Sequence, residues 1–295
     1  MNTSKQLNLQ EIFESIRSGA FTNISRVNIL WLCLMRRRRR YSCYQELEMP
    51  NWLTGTIVER HQWNNRLCSL RILLDLPEYE AGQFINLGLE INGKAVLRPY
   101  SLVNPPGNSL QEIFFNRVDD GLLSPRLFQL QPGDKVLSSP KAGGFFVLSQ
   151  VPAAQQLWLC ATGTGLSPFL SMLRTVDPWE SYEQIILIHG VRDQSEMAYC
   201  KELEEIQRLH SQQFHYFHSV TREPDTPHLS RRIPDLLLNN DIENLLDLTL
   251  SANNAQVMLC GNSGMINGCL SVLAERGLKR NQRRDPGQIT IEIYQ

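Results

Sequence analysis

The sequence predicts a two-domain protein, an antiparallel β-barrel followed by an α/β domain with a parallel sheet. Three observations carry that prediction. Between residues 51 and 139, six short β-branched or alternating runs are separated by Gly, Pro, Asn and Asp, the spacing of an antiparallel barrel. From residue 156 onward, continuous apolar runs alternate with helical periodicity, as in a parallel sheet buried on both faces. The length of 295 residues suits one large or two medium domains, and an apolar fraction of 42% supplies real cores. The domains are expected at 51–151 and 152–295.

Residues 1–50 stand apart. An apolar run at 27–35 precedes five arginines at 36–40, the reverse of a secretory signal, whose charge comes first. The run with its arginines, 27–40, could rest on an anionic membrane surface. The stronger reading makes residues 1–50 disordered or a mis-called N-terminal extension, with Met49 as an alternative start. A net charge of -1 argues against a general nucleic-acid binder. The seven cysteines contain no C-x-x-C pair, which excludes the common zinc and iron–sulfur spacings and suits a reducing compartment. A cytoplasmic monomer without metal is expected.

The barrel strands are expected at 52–60, 68–74, 83–89, 96–103, 111–118 and 135–139. The fourth carries Leu97-Arg98-Pro99-Tyr100-Ser101-Leu102. Strand alternation puts Arg98 and Tyr100 on one face and Ser101 on the other. A bend after Pro99, whose φ is fixed, could gather all three around one ligand. The Arg98 fork suits a diphosphate, Tyr100 offers a stacking surface, and the Ser101 hydroxyl both donates and accepts. A helical piece at 121–128 places Ser124 before Pro125, which reads as an N-cap with proline at the first helical position. Such a terminus can bind phosphate. Gly143-Gly144 either lets backbone approach a ligand or forms a bulge before a core strand.

In the second domain, strands are expected at 156–161, 185–190, 214–221 and 255–260, with helices at 166–176, 198–210 and 265–276. Ligands of such sheets bind at the carboxyl ends of the strands. There the sequence places Thr162-Gly163-Thr164-Gly165, a small-residue turn that could cradle phosphate but matches neither the G-x-G-x-x-G nor the P-loop pattern. Arg192 follows the next strand, Thr221-Arg222 the one after, and Arg231-Arg232 the loop beyond. Cations at successive strand ends suit a highly charged anion such as the 2′-phosphate of NADP(H). Cys260-Gly261-Asn262 ends the last long strand, its thiol either beside a closely approaching ligand or simply buried.

With both halves read, residues 51–295 resemble the bacterial ferredoxin/flavodoxin–NADP reductases. Arg98, Tyr100 and Ser101 resemble that family's flavin motif, which implies a pyrophosphate grip, a ring against the isoalloxazine and a hydroxyl near N5. Phe114-Phe115-Asn116-Arg117 matches the adjoining FAD strand. Leu122-Leu123-Ser124 stands where the family has Lys-Leu-Ser on the pyrophosphate, so the lysine is lost and the backbone grip is kept. The turn from Thr162 to Gly165 looks like the NADP pyrophosphate turn, with Thr164 also facing FAD. Arg192, Thr221, Arg222 and Arg232 fall where the family surrounds the NADP adenosine end. Cys260-Gly261-Asn262 is similar to the family's C-G-[ND]-P, with Ser263 in place of proline. The closing Glu292-Ile293-Tyr294 resembles its E-x-Y, and Gln295 replaces a terminal aromatic.

The resemblance implies an FAD enzyme that moves electrons between NADP(H) and ferredoxin or flavodoxin. Ser101, Cys260, Glu292 and Tyr294 would stand at the transfer site, with Glu292 as a proton relay. The alternatives are an NAD(P)H-dependent flavin or oxygenase reductase on the same fold, and a non-enzymatic redox-sensing flavoprotein.

Overall fold

The computed structural model describes residues 52–223 and 228–294. The expectations for residues 1–50, membrane contact at 27–40 included, lie outside the described residues. Six strands form the antiparallel sheet: β1 (Leu53–Gln62), β2 (Leu67–Leu73), β3 (Phe84–Ile91), β4 (Lys94–Ser101), β5 (Leu110–Asn116) and β6 (Lys135–Ser138), in the order β4-β3-β6-β1-β2-β5. Their inward residues, among them Ile57, Leu70, Ile72, Ile85, Leu87 and Phe115, make one core cluster. The helical turn α1 (Ser124–Leu127) plugs that core with Leu127. The two edge strands meet where Leu102 bridges Ile113, so the barrel has a seam between β4 and β5.

The second sheet is wholly parallel, in the order β11-β10-β7-β8-β9. Its strands are β7 (Gln156–Thr162), β8 (Gln184–Val191), β9 (Phe214–Val220), β10 (Ala255–Asn262) and β11 (Ile289–Tyr294). The central strands β7, β8 and β10 are buried almost end to end, as helix-covered parallel strands must be, while the edge strand β11 is mostly half-buried. The helices are α2 (Ser167–Leu173), α3 (Asp177–Ser181), α4 (Cys200–Leu209), α5 (Ile233–Leu238), α6 (Asp241–Leu246) and α7 (Ser263–Glu275). One face of the sheet packs Trp158, Ile186, Ile188, Leu236, Ile266 and Leu273. The other packs Leu187, Phe169, Tyr199 and Phe214 together with Leu67, Val103, Phe114 and Phe146 of the barrel, so the two sheets share a core.

Three local expectations are corrected. There is no bend after Pro99: β4 pairs with β3 without interruption from Ile91↔Lys94 to Phe84↔Ser101. A proline is tolerated there because β4 is an edge strand and needs no outward N–H. Ser124 is not the N-cap, because Leu123 is already in helical conformation and the Ser124 hydroxyl instead accepts the Val118 N–H at 3.0 Å. The helix expected at 166–176 starts as a 3₁₀ turn, Gly163–Leu166, and its α segment stops at Leu173.

The β7 turn lies directly against β10. A Cβ on Gly165 would overlap the Cys260 carbonyl oxygen, and one on Gly261 would overlap the Thr162 hydroxyl. Gly165→Ala should therefore lower stability by about 1–3 kcal/mol, the usual cost of overpacking. Thermal denaturation of this variant beside the parent checks it, with a matching midpoint excluding the close approach.

Candidate active site

Parallel pairing sets the first feature of the site. β10 and β11 run in register with Cys260 opposite Glu292 and Asn262 opposite Tyr294. Side chains two apart on a strand share a face, so Glu292 and Tyr294 project together from β11. From the barrel, Ser101 ends β4 and is 4% exposed. Its Oγ donates to Glu292 Oε2 at 3.2 Å and lies 3.2 Å from the Tyr294 hydroxyl. The Cys260 thiol donates to the same Glu292 oxygen at 3.7 Å, and the Tyr294 hydroxyl donates to the Thr164 carbonyl at 3.4 Å. The four residues expected at the transfer site thus form one cluster spanning both domains.

Burial biases this cluster toward its neutral forms. It raises the Glu292 pKa, against the pull of the hydrogen bonds from Ser101 and Cys260. It lifts the Cys260 thiol and the Tyr294 hydroxyl well above their ordinary values, with the Glu292 carboxylate reinforcing both.

Beside the cluster lies the turn after β7. Thr162 Oγ1 accepts the Asn262 backbone N–H at 3.2 Å and its side-chain amide at 3.1 Å. Asn262 Oδ1 in turn caps α7 by accepting the Met265 N–H at 2.9 Å. Gly163 takes a left-handed φ of +54°, and the space where its Cβ would point is open. Its carbonyl accepts from His189 Nε2 at 3.0 Å. His189 is fully buried, and burial lowers its pKa to about 4. The sequence shows Asn262 one residue before a helix, which is a capping signal, whereas nothing in it marks His189.

The arginines line the adjoining strand ends. Arg192 follows β8 and Arg222 follows β9, with the Arg222 N–H donating to the Arg192 carbonyl at 2.9 Å. Thr221 turns its hydroxyl to the Val191 carbonyl at 3.1 Å. Arg232 precedes α5 in extended conformation. All four of these residues are exposed. Among the described residues, no carboxylate pairs with Arg192, Arg222 or Arg232, whereas Arg231 is bound by Asp241 at 2.9 Å. Two of these cations follow neighbouring strands and the third precedes α5, an arrangement that could receive an anion.

The barrel seam supplies the remaining surface. Arg98 is exposed, and its guanidinium reaches only the Leu97 carbonyl, at 2.8 Å, among the described residues. Tyr100 is half-buried and stands edge-on to Phe115 with centroids 5.9 Å apart. Burial pushes its hydroxyl up to about 12. Phe114 and Leu123 direct their side chains into cores, as does Phe115, so only their backbones could meet a ligand. Asn116 and Leu122 are exposed, and Arg117 pairs with Asp119 at 2.9 Å. Ser124 is committed to Val118. A free guanidinium, a ring bordering an open seam and a hydroxyl at the strand end fit a flavin nucleotide. An open glycine turn with unpaired arginines fits a phosphorylated dinucleotide.

Fold and site together define a two-domain oxidoreductase that brings a flavin and a pyridine nucleotide to one junction. Comparison with known proteins agrees: residues 57–145 match the oxidoreductase FAD-binding domain and residues 159–270 the oxidoreductase NAD-binding domain. A flavodoxin/ferredoxin–NADP reductase of Buchnera aphidicola is 34% identical over 248 residues, covering 83% of this chain and 100% of that protein. The protein of that name from Escherichia coli is 37% identical over 218 residues, 74% of this chain and 88% of its own. A crystal structure of a ferredoxin NADP+ reductase from Neisseria gonorrhoeae, with bound FAD and NADP, superposes with a TM-score of 0.78 at 28% identity, covering 83% of this chain and 99% of that one. The chain belongs to the flavodoxin/ferredoxin–NADP reductase family.

The state of Glu292 gives a pH test. Its folded-state pKa is raised above the unfolded value, so the folded state binds the proton more tightly. That contribution is present at low pH and is lost as pH rises from the unfolded value through the folded one. Glu292→Gln keeps an acceptor and removes the titration. The variant should therefore gain stability relative to the parent as pH rises from about 4.5 toward 7. Denaturant melts across that range measure it, and a constant difference between the two proteins would contradict it.

Proposed function

We propose that this protein is an FAD-dependent oxidoreductase that transfers electrons between NADP(H) and a one-electron carrier protein, ferredoxin or flavodoxin. The observation that carries the proposal is the Ser101–Glu292–Cys260–Tyr294 cluster, in which the end of the barrel seam meets the carboxyl end of the parallel sheet. Bound FAD would supply a centre that accepts a hydride and releases electrons singly. The barrel, 51–151, holds it: Arg98 grips the diphosphate with help from the Leu122–Ser124 backbone, and Tyr100 lies against the ring system. The domain at 152–295 holds the nucleotide: the turn from Thr162 to Gly165 takes its diphosphate, and Arg222 and Arg232 take the 2′-phosphate, with Arg192 and Thr221 beside them.

At the junction, Ser101 offers its hydroxyl to the reacting face. The neutral, small Cys260 thiol leaves room for a flat ring beside Gly261. Glu292, whose pKa burial raises, can take up or release a proton within hydrogen-bond distance of the Ser101 hydroxyl. Tyr294, tied to Ser101 and to the Thr164 carbonyl, excludes water from the cluster. Among the described residues no helix is long and apolar enough to cross a membrane. A cytoplasmic monomer meeting a diffusing carrier completes the proposal.

A yellow protein whose flavin is bleached by NADPH, and which then reduces ferredoxin or flavodoxin faster than free flavin, is the expected outcome. Arg98→Ala should release flavin, since two charge-assisted hydrogen bonds of roughly 1.5–3 kcal/mol each are lost and exposure screens them. A rise in the flavin dissociation constant of about 10- to 100-fold is expected by fluorescence titration. The double variant Arg222→Ala, Arg232→Ala should raise KM for NADPH by about 100-fold or more and leave NADH turnover nearly unchanged. Equal losses with the two nucleotides, in steady-state kinetics, would remove these arginines from the 2′-phosphate.

A further inference from the structure

Helix α2 begins at the nucleotide turn and ends at the barrel. Its first residue, Ser167, follows the 3₁₀ turn Gly163–Leu166 directly and bonds the Thr164 carbonyl at 2.9 Å. At its other end, two side chains reach across to the segment just beyond Ser101. Ser171 Oγ donates to the Asn104 carbonyl at 2.8 Å, and Arg174 Nη1 donates to the Val103 carbonyl at 2.9 Å. Both Ser171 and Asn104 are buried. Arg174 follows the last residue of α2, and its side chain is 19% exposed.

The guanidinium is itself fixed. Glu202 of α4 holds it in a two-point pair, Nε at 2.6 Å and Nη2 at 2.8 Å. On the barrel side it meets Glu112 Oε2 at 3.4 Å. Glu112 is 5% exposed, and its other oxygen accepts the Tyr199 hydroxyl at 2.8 Å. Glu112 also sets the receiving segment: its carbonyl accepts the Val103 N–H at 2.9 Å, and its N–H donates to Asn104 Oδ1 at 2.7 Å. The two-point pair with Glu202 fixes the guanidinium's direction as well as its distance.

We propose that Arg174, assisted by Ser171, is a positioning residue that locks the Ser101 end of the barrel to the helix carrying the nucleotide turn, and so sets the approach of nicotinamide to flavin. The proposal rests on the function proposed above. Arg174 touches neither ligand site, so its removal should leave binding intact and loosen the alignment. Reactions that need two groups within a near-attack distance are sensitive to shifts on the order of 1 Å.

The test compares the parent with Arg174→Met, Arg174→Lys and Ser171→Ala, as flavin-loaded and as flavin-free protein. In the loaded Arg174→Met protein, flavin content should match the parent and KM for NADPH should stay within threefold. The single-turnover rate of flavin bleaching by NADPH should fall tenfold or more. Arg174→Lys, which can still donate to the Val103 carbonyl, should recover part of that loss. In the flavin-free protein, hydrogen exchange of the peptide covering 101–104 should quicken tenfold or more in Arg174→Met. A bleaching rate within twofold of the parent, or a loss that appears in KM alone, overturns the proposal. If Arg174→Met does not fold, Ser171→Ala decides: a threefold or larger fall in bleaching rate supports the lock, and a parent rate overturns it. If NADPH does not bleach the parent, the proposed function fails, and the exchange measurement still decides whether the lock exists.

Discussion

Val103, Phe114 and Phe146 of the barrel lie in the same buried cluster as Phe169, Leu187, Tyr199 and Phe214 of the parallel-sheet domain, and every distance in the site depends on that shared core. A hydrophobic contact is non-directional, so it holds the two sheets together without fixing their register. Directional bonds complete it. The Tyr199 hydroxyl lies 2.6 Å from Ser69 Oγ and donates to Glu112, and Trp63 Nε1 donates to the same serine at 2.9 Å. Tyr199 takes a left-handed φ of +58° to do this, a conformation that costs a non-glycine residue of order 1–3 kcal/mol. The surrounding bonds hold it there.

Charge is distributed to match. Burial pushes groups inside the junction toward their neutral forms: it raises Glu292, Cys260 and Tyr294 and lowers His189 to about 4. His218, neighbour to His189 across β8 and β9, is lowered to about 4 as well, by burial and then by His189 and His228. Cations instead lie at the rim, where Arg98, Arg192, Arg222 and Arg232 are exposed. A buried centre with a cationic rim suits a dinucleotide whose charged parts meet the rim and whose flat ring meets the centre.

Much of this was legible in the sequence, for reasons that differ by residue. The alternating runs of the barrel and the continuous runs of the parallel sheet encode burial directly, so the strands fall within a few residues of their expected places. The grouping of Ser101, Cys260, Glu292 and Tyr294 was legible only through the resemblance, since no spacing rule joins residue 101 to residue 292. Contacts that close over long separations left no local mark: His189 meets Gly163 across 26 positions and Arg174 meets Val103 across 71. The bend after Pro99 failed because an edge strand accepts proline without deforming. The capping role of Ser124 failed because Leu123 had already turned helical. The short helices α5 and α6 were missed because a leucine-rich stretch of that length carries too few turns to show a period.

The barrel seam bears on association with other chains rather than on chemistry. β4 and β5 are sheet edges, and unpaired edges are templates on which another chain can add a strand. Lys94, Arg98 and Pro99 are exposed along β4, and a charge or a missing N–H on an edge discourages such pairing. β5 carries no proline, and its residues from Gln111 to Phe115 are buried. The seam is therefore guarded in two ways, β4 by charge and proline, and β5 by burial and by the bonds its backbone makes across the seam to Leu102, Val103 and Asn104.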